Sequence, residues 1–326
     1  MKQLPPIRFA PWAREMVWGK RRLQDFLGRK LPTDSSFGES WELSDHPSHE
    51  SKVCAGPWSN FLIGKSLRDL MLESPDSILG KNLEWKNQGN CPNAHAGRFP
   101  LLVKWLDASD WLSVQVHPDT IAVQTLLPGE GSKTEAWLIL HADQGSRVWA
   151  GLKPGVGEKE LRAAIIAGTS ADCLHSFSPK AGQFLHLPAG TVHAVGGGVL
   201  MAEIQQTSDA TFRLFDWNRV DSKGISRKLH IDESIASIHW DKGPKEPISI
   251  PGFGLANDHL DLELVECPFF KLSYRREIEP FFFNGNDSPY VFMIVGGSAK
   301  AAYMGREEIL RPVSYTHLTL PTILLV

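Results

Sequence analysis

Cysteine is scarce in this chain and carries no pattern. Cys54, Cys91, Cys173 and Cys267 are scattered over 326 positions without a Cys-x-x-Cys pair. That excludes a disulfide framework and suits a reducing compartment, with the thiols as small apolar packers. No apolar run approaches the roughly 20 residues of a membrane span. The first 19 residues carry Arg8, Arg14 and Glu15 where a secretory signal would have an apolar core, so a cytoplasmic location is expected. There is no long Lys/Arg run, and a net charge of -3 argues against nucleic acid or anionic membrane as partners. Neither a Gly-x-Gly-x-x-Gly after a strand nor a P-loop pattern is present, so no nucleotide cofactor is expected.

What the chain has is turn residues and large apolar ones. It contains 28 Gly, 22 Pro and 11 Trp, at an ordinary 42% hydrophobic and 22% charged, which fits a turn-rich β protein of one or two domains. Strand-like segments fall at 36–43, 101–106, 111–116, 135–141, 146–150, 183–187, 191–195, 199–206 and 212–215, and resume at 262–267, 269–275 and 290–296. Two helices interrupt them. Ser66 reads as the N-cap of a helix over 67–72, and Glu158 and Glu160 open an apolar run that Gly168 stops. The polar, Asn/Gly-rich stretch 81–98 reads as a loop, and the Pro-rich stretch 241–252 as a linker. The expected organisation is a first domain over 1–240, with a helical insertion near 157–176, and a second β unit over 251–313. The last segment, 314–326, lacks the charge and turn punctuation of the strands before it. It reads as a last strand or as a non-native tail, and it and His317 are set aside from functional reasoning.

The segment Leu112-Ser-Val-Gln-Val-His-Pro-Asp119 is where chemistry enters. In an extended chain Gln115 and His117 share one face while Val114 and Val116 take the other. A histidine on a strand is more often a hydrogen-bonded bystander than a ligand. Two later segments change that weighting. Lys133-Thr-Glu135 supplies a carboxylate, and Pro188-Ala-Gly-Thr-Val-His193 supplies a second imidazole just inside a turn. Two His, one Glu and one Gln make an open site for a divalent metal acting on oxygen groups. His186, flanked by Leu185 and Leu187 on the opposite face, reads as structural. Short strands with Gly/Pro turns and a helical insertion point to a jelly roll or related barrel, whose mouth gathers side chains from several strands.

These segments resemble, in order, the motifs of type I mannose-6-phosphate isomerases of the cupin superfamily. Gly38-Glu-Ser-Trp-Glu-Leu-Ser-Asp45, Trp18-Gly19 with Arg22-Leu23, and Glu203-Ile-Gln-Gln-Thr-Ser-Asp-Ala-Thr-Phe-Arg-Leu-Phe-Asp216 complete the set. The matches span about Trp12 to Arg219, roughly two-thirds of the chain. Ala194-Val195 followed by three glycines is similar to the shorter bacterial members. The resemblance implies a mainly β fold of cupin-type jelly-roll barrels; between about Pro251 and Val313 no His/Glu/Gln constellation occurs, so the second barrel is expected to carry no metal. It implies one Zn²⁺ per chain, held by Gln115, His117, Glu135 and His193, with Arg213 beside the active site. There a planar guanidinium suits either the phosphate or the reacting oxygens of a sugar phosphate. Lys133, Ser113, Lys104 and Glu203 are further substrate-binding candidates. The bland alternative for Arg213 is a salt bridge with Asp209 or Asp216.

The implied reaction interconverts mannose 6-phosphate and fructose 6-phosphate through an enediol(ate). A proton must then move between C1 and C2; Glu203, a metal-bound water and a lysine are all open as its carrier. Two other readings compete. A sugar-phosphate-binding cupin without turnover need not keep the full ligand set. An iron dioxygenase cupin favours a His-x-His strand motif, and here Gln115 stands in the first place. The expected partner is a small sugar phosphate, and a monomer is compatible with the sequence.

Overall fold

Period-two alternation on facing strands places the apolar residues of this chain between and around two stacked sheets. The computed structural model describes all residues except 1–3, 29, 57, 81–96, 221–222, 256–257, 278, 280, 284–288, 304, 311–316, 320–322 and 326. Cys91 and nearly all of the 81–98 loop therefore lie outside the described residues, as does much of 314–326. Among the described residues no helix is long and apolar enough to cross a membrane.

The larger sheet is antiparallel and seven-stranded. Its order is Ile248–Ser249, Gln183–Leu187, Glu135–Ala142, Val199–Gln206, Leu101–Ala108, Phe37–Leu43 and Trp12–Lys20. The smaller sheet runs Leu174–Phe177, Val148–Leu152, His193–Val195, Val114–Val116 and Phe212–Phe215. Trp137, Ile139, Leu185, Leu187 and Met201 of the first pack with Val148, Ala150 and Val195 of the second. Ala136 and Leu138, one position out of phase, join Phe184, Leu264 and Phe270 in a separate cluster on the other face. This is the pleat written in side chains, and the fold is the mainly β, cupin-type jelly roll expected.

The helical insertion covers the outside of the smaller sheet. Leu161 and Ile165 of the helix Glu158–Ala167, with Ile235 of the helix Ile231–Ser237, pack on Val114, Val116, Val192, Ala194 and Leu214. The first helix ends at Gly168 in the left-handed region, φ 72°, as a glycine C-cap does. The helix Leu67–Glu73 starts at Ser66 with a reciprocal cap, Asp69 N–H to Ser66 Oγ at 3.0 Å and Ser66 N–H to Asp69 Oδ2 at 2.7 Å.

Several elements differ from the sequence reading. Trp12–Lys20 is a full edge strand that alternation did not reveal, because its register shifts around Glu15. The strand expected over 111–116 is laddered only at Val114–Val116, and the one over 191–195 only at His193–Val195. The 241–252 connection is bound along its length. Lys245 N–H donates to Ala150 O at 3.0 Å, Ile248–Ser249 adds to the larger sheet, and Ile250 is buried. Beyond it, Leu260–Glu266 pairs with Lys271–Arg276. Tyr290–Phe292 and the N-terminal Ile7–Arg8 both pair with His317–Thr319. Ile323–Leu325 pairs with Phe281–Phe283 and Ala299–Tyr303.

Leu161 is fully buried at the centre of the helix–sheet contact. Leu161→Ala is expected to destabilise the fold by about 2–5 kcal/mol, read as a lower urea midpoint with an unchanged m-value.

Candidate metal centre

The two sheets supply one cluster from opposite sides. On the smaller sheet His193 lies directly across from Gln115, and Gln115 directly across from Arg213. His117 follows Gln115 by two residues, just before Pro118 ends the strand. On the larger sheet Glu135 opens its strand opposite Gln205 and Leu187. The ligating atoms of His117, Glu135 and His193 all fall within 4.8 Å of one another, and all three residues are buried.

The hydrogen bonds behind the imidazoles set their tautomers. His117 Nδ1 stands 2.7 Å from Ala210 O, and His193 Nδ1 stands 2.9 Å from Thr191 O. A carbonyl can only accept, so each Nδ1 carries the proton and each Nε2 presents a lone pair inward. These lone pairs meet Glu135, with His117 Nε2 3.3 Å from Oε2 and His193 Nε2 3.2 Å from Oε1. Neither carboxylate oxygen accepts an aligned hydrogen bond, although both are buried. The Lys133 ammonium lies 2.8 Å from Oε2 as an ion pair and 3.1 Å from His117 Nε2. The Gln115 amide nitrogen donates to His193 Nε2 at 3.2 Å, while Ser113 Oγ–H donates to Gln115 Oε1 at 3.2 Å. A half-turn of that amide exchanges its oxygen and nitrogen. An unbonded buried carboxylate facing two imidazole lone pairs and an amide is a donor set that fits a divalent cation of the zinc type.

Charge alternates away from this cluster. Glu203 Oε1 is 3.6 Å from Lys133 and 3.0 Å from Lys104, Lys104 is 3.8 Å from Glu39, and Arg14 bridges Glu39 at 3.5 Å and Asp209 at 3.1 Å. Burial opposes the charge on Glu135, but the Lys133 ammonium beside it outweighs burial and holds the carboxyl well below its ordinary range. Burial likewise opposes the Lys104 ammonium, and Glu203 with Glu39 more than compensates, so Lys104 is raised and stays charged. Burial pushes Glu203 up against the pull of Lys104 and Lys133. The His117 imidazole is pushed down to about 4 by burial and then by Lys133, and His193 is lowered, chiefly by burial. Two ammoniums against three carboxylates leave the inner array one charge negative. A divalent cation reverses that sign and makes the pocket attractive to an anion.

Gln115, His117, Glu135 and His193 thus converge, and Lys133, Lys104 and Glu203 form the charged floor beside them. Ser113 is engaged with Gln115. Arg213 is the cross-strand neighbour of Gln115, half-buried, with one guanidinium nitrogen donating to Lys228 O at 2.9 Å and its buried Nε unbonded. It pairs with neither acid considered for it, since Asp216 accepts from Arg219 and Arg227 and Asp209 from Arg14. His186 sits on the opposite face, its ring edge-on to Phe270 with centroids 6.4 Å apart. Sequence reasoning missed Glu39 and Gln205. Gln205 stands two residues after Glu203 on the same strand face, a period-two signal that was available.

Between pH about 4 and 6.5 the unfolded chain binds a proton at His117 that the folded chain refuses. In chelator, stability is therefore expected to fall as pH drops through that window, by about 3 kcal/mol for His117, with His193 acting in the same direction. Urea midpoints at pH 7 and pH 5 check this; equal midpoints would show the imidazoles to be freely protonated in the fold.

The family described as phosphomannose isomerase type I, catalytic domain, matches residues 7–130. A mannose-6-phosphate isomerase of Streptococcus mutans is 34% identical over 304 residues, covering 93% of this chain and 88% of the relative. The crystal structure of the mannose 6-phosphate isomerase from Bacillus subtilis superposes with a TM-score of 0.76 at 27% identity, over 98% of both chains. A mannose 6-phosphate isomerase solved with zinc and yttrium bound shares the fold, with a TM-score of 0.69 at 17% identity over 98% of this chain and 96% of that one. With this ancestry spread over nearly its whole length, the chain belongs to the type I phosphomannose isomerase family, within the cupin fold.

Proposed function

We propose that this chain interconverts mannose 6-phosphate and fructose 6-phosphate with one Zn²⁺ held by Gln115, His117, Glu135 and His193. The observation that carries the reading is Glu135, a buried carboxylate with both oxygens free of hydrogen bonds and facing two imidazole lone pairs. Its relatives' names and the zinc found in a fold relative support the substrate and the ion. Bound zinc supplies a Lewis acid at the C1 and C2 oxygens and a fixed positive charge for the enediolate that develops.

The chain's own groups do the rest. Lys133, 2.8 Å from Glu135 and 3.6 Å from Glu203, donates to substrate oxygens and keeps their negative charge in register with the array. Glu203 carries the proton between C1 and C2, because burial already pushes its carboxyl toward the protonated form. Lys104, 3.0 Å from Glu203, steadies the carboxylate whenever the proton is on the sugar. Arg213 offers guanidinium donors to the anionic end of the substrate, and Ser113 orients the Gln115 amide. All these groups belong to residues 1–240, so the chemistry is assigned to that part. The unit over 251–313, with 314–326 considered apart, is assigned a covering role. A sugar phosphate does not cross membranes unaided, which fits a cytoplasmic enzyme.

Purified zinc-loaded chain is expected to convert mannose 6-phosphate to fructose 6-phosphate, to lose turnover in chelator and to regain it with zinc. Turnover indifferent to chelator would reject the metal reading, and tight zinc binding without turnover would make the chain a binder. His117→Ala is expected to abolish both zinc retention and turnover; normal activity in that variant would sink the ligand assignment. Arg213→Gln is expected to lower kcat/KM by roughly 100-fold with zinc retained, measured by coupled assay and metal analysis.

A further inference from the structure

The two histidine-bearing loops are joined from behind by a residue that the isomerisation does not use. His239 follows the helix Ile231–Ser237. Its Nε2–H donates to Asp119 Oδ2 at 2.8 Å, and its backbone N–H donates to Gly190 O at 3.0 Å. Asp119 stands two residues after His117, and Gly190 three before His193. Gly190 N–H in turn donates to His117 O at 2.8 Å. The His239 ring presses on Gly190 so closely that a Cβ there would lie 2.5 Å from the ring, and Gly190 holds φ +81°, a conformation that favours glycine.

The neighbours of this contact make it a fixed point. The other Asp119 oxygen accepts from Ile121 N–H at 2.9 Å and Ala122 N–H at 2.7 Å, securing the start of the helix Ala122–Leu126. The chain beyond His239 stays on the smaller sheet, where Lys245 N–H donates to Ala150 O at 3.0 Å, and Ala150 is a cross-strand partner of His193. One residue therefore touches both loops that deliver imidazole ligands: its ring donates to Asp119 and packs on Gly190, and its backbone N–H donates to Gly190 O.

We infer that His239 is a positioning residue: with Asp119 and Gly190 it latches the 117–122 and 188–193 segments together and so sets how long the metal stays. The latch rests on the zinc reading above for its metal readout, but the geometry exists without the ion. Outer contacts that orient metal ligands are worth 10–100-fold in metal affinity or activity, which sets the scale of the effect.

The test uses two variants of the full chain. His239→Phe keeps a ring against Gly190 but cannot donate to Asp119, whereas His239→Gln restores a donor without the ring. Zinc release to a chromophoric chelator is expected to be about tenfold faster in H239F than in the parent, and parent-like in H239Q. Hydrogen exchange of residues 115–122 and 188–194, measured in chelator, is expected to quicken in H239F and to recover in H239Q. Exchange and release equal in all three proteins would overturn the latch, as would H239Q behaving like H239F. A parent chain that holds no zinc but shows the exchange difference would support the latch and reject the metal reading. If H239F fails to fold, the same two measurements on H239Q against His239→Leu decide the matter, with only the donor expected to restore parent behaviour.

Discussion

Everything at the mouth of the barrel depends on keeping one carboxylate ionised out of water. Glu135 is 1% exposed, and a buried carboxylate without partners takes up a proton instead of staying charged. Here the Lys133 ammonium, 2.8 Å away, holds it ionised. Lys133 in turn lies beside Glu203, Glu203 beside Lys104, and the alternation continues through Glu39 and Arg14 to Asp209 near the surface. Removing Lys133 would take the nearest ammonium from the buried Glu135, a much larger penalty than a surface ion pair could incur.

The barrel makes that arrangement possible by packing hydrocarbon behind it. Trp137 stands edge-on to His193, with ring centroids 5.4 Å apart at 81°, and the apolar packing of Leu185, Leu187, Ile139 and Met201 begins directly beyond it. Low polarity behind the site strengthens each electrostatic contact within it and makes each missing one more costly. Polar groups are accordingly confined to one end of the inner faces, and the rows of the larger sheet pass from Glu135 and Gln205 through Glu203 and Lys104 to hydrocarbon.

Geometry at the level of ångströms comes from the sheets and from what is strapped to them. Cross-strand registry puts His193, Gln115 and Arg213 in one row, and backbone carbonyls of Thr191 and Ala210 turn both imidazoles inward. The helix Glu158–Ala167 and the 239–250 segment close the back of the smaller sheet. Parts of the chain far from the chemistry in sequence are thereby packed immediately behind it.

The sequence by itself determined the residue types and their alternation. Gln115 and His117 two apart, Lys133 and Glu135 two apart, and Thr191 and His193 two apart each follow from the period of a strand, and the ordered motifs identified the family. Helix limits at Ser66 and Gly168 were equally legible, because capping is a local interaction. Trp12–Lys20 was not legible, since a register shift breaks its alternation, nor was the binding of 241–252, whose prolines advertise a linker while its donors find strand edges. Only the tertiary structure decided that Arg213 leaves Asp209 and Asp216 to other arginines, that Glu39 ends up beside Lys104, and that His239 reaches Asp119. Apart from Asp216, whose arginines stand 3 and 11 positions away, those contacts join residues tens to nearly two hundred positions apart, and a partner across the barrel leaves no periodic trace in the chain that carries it.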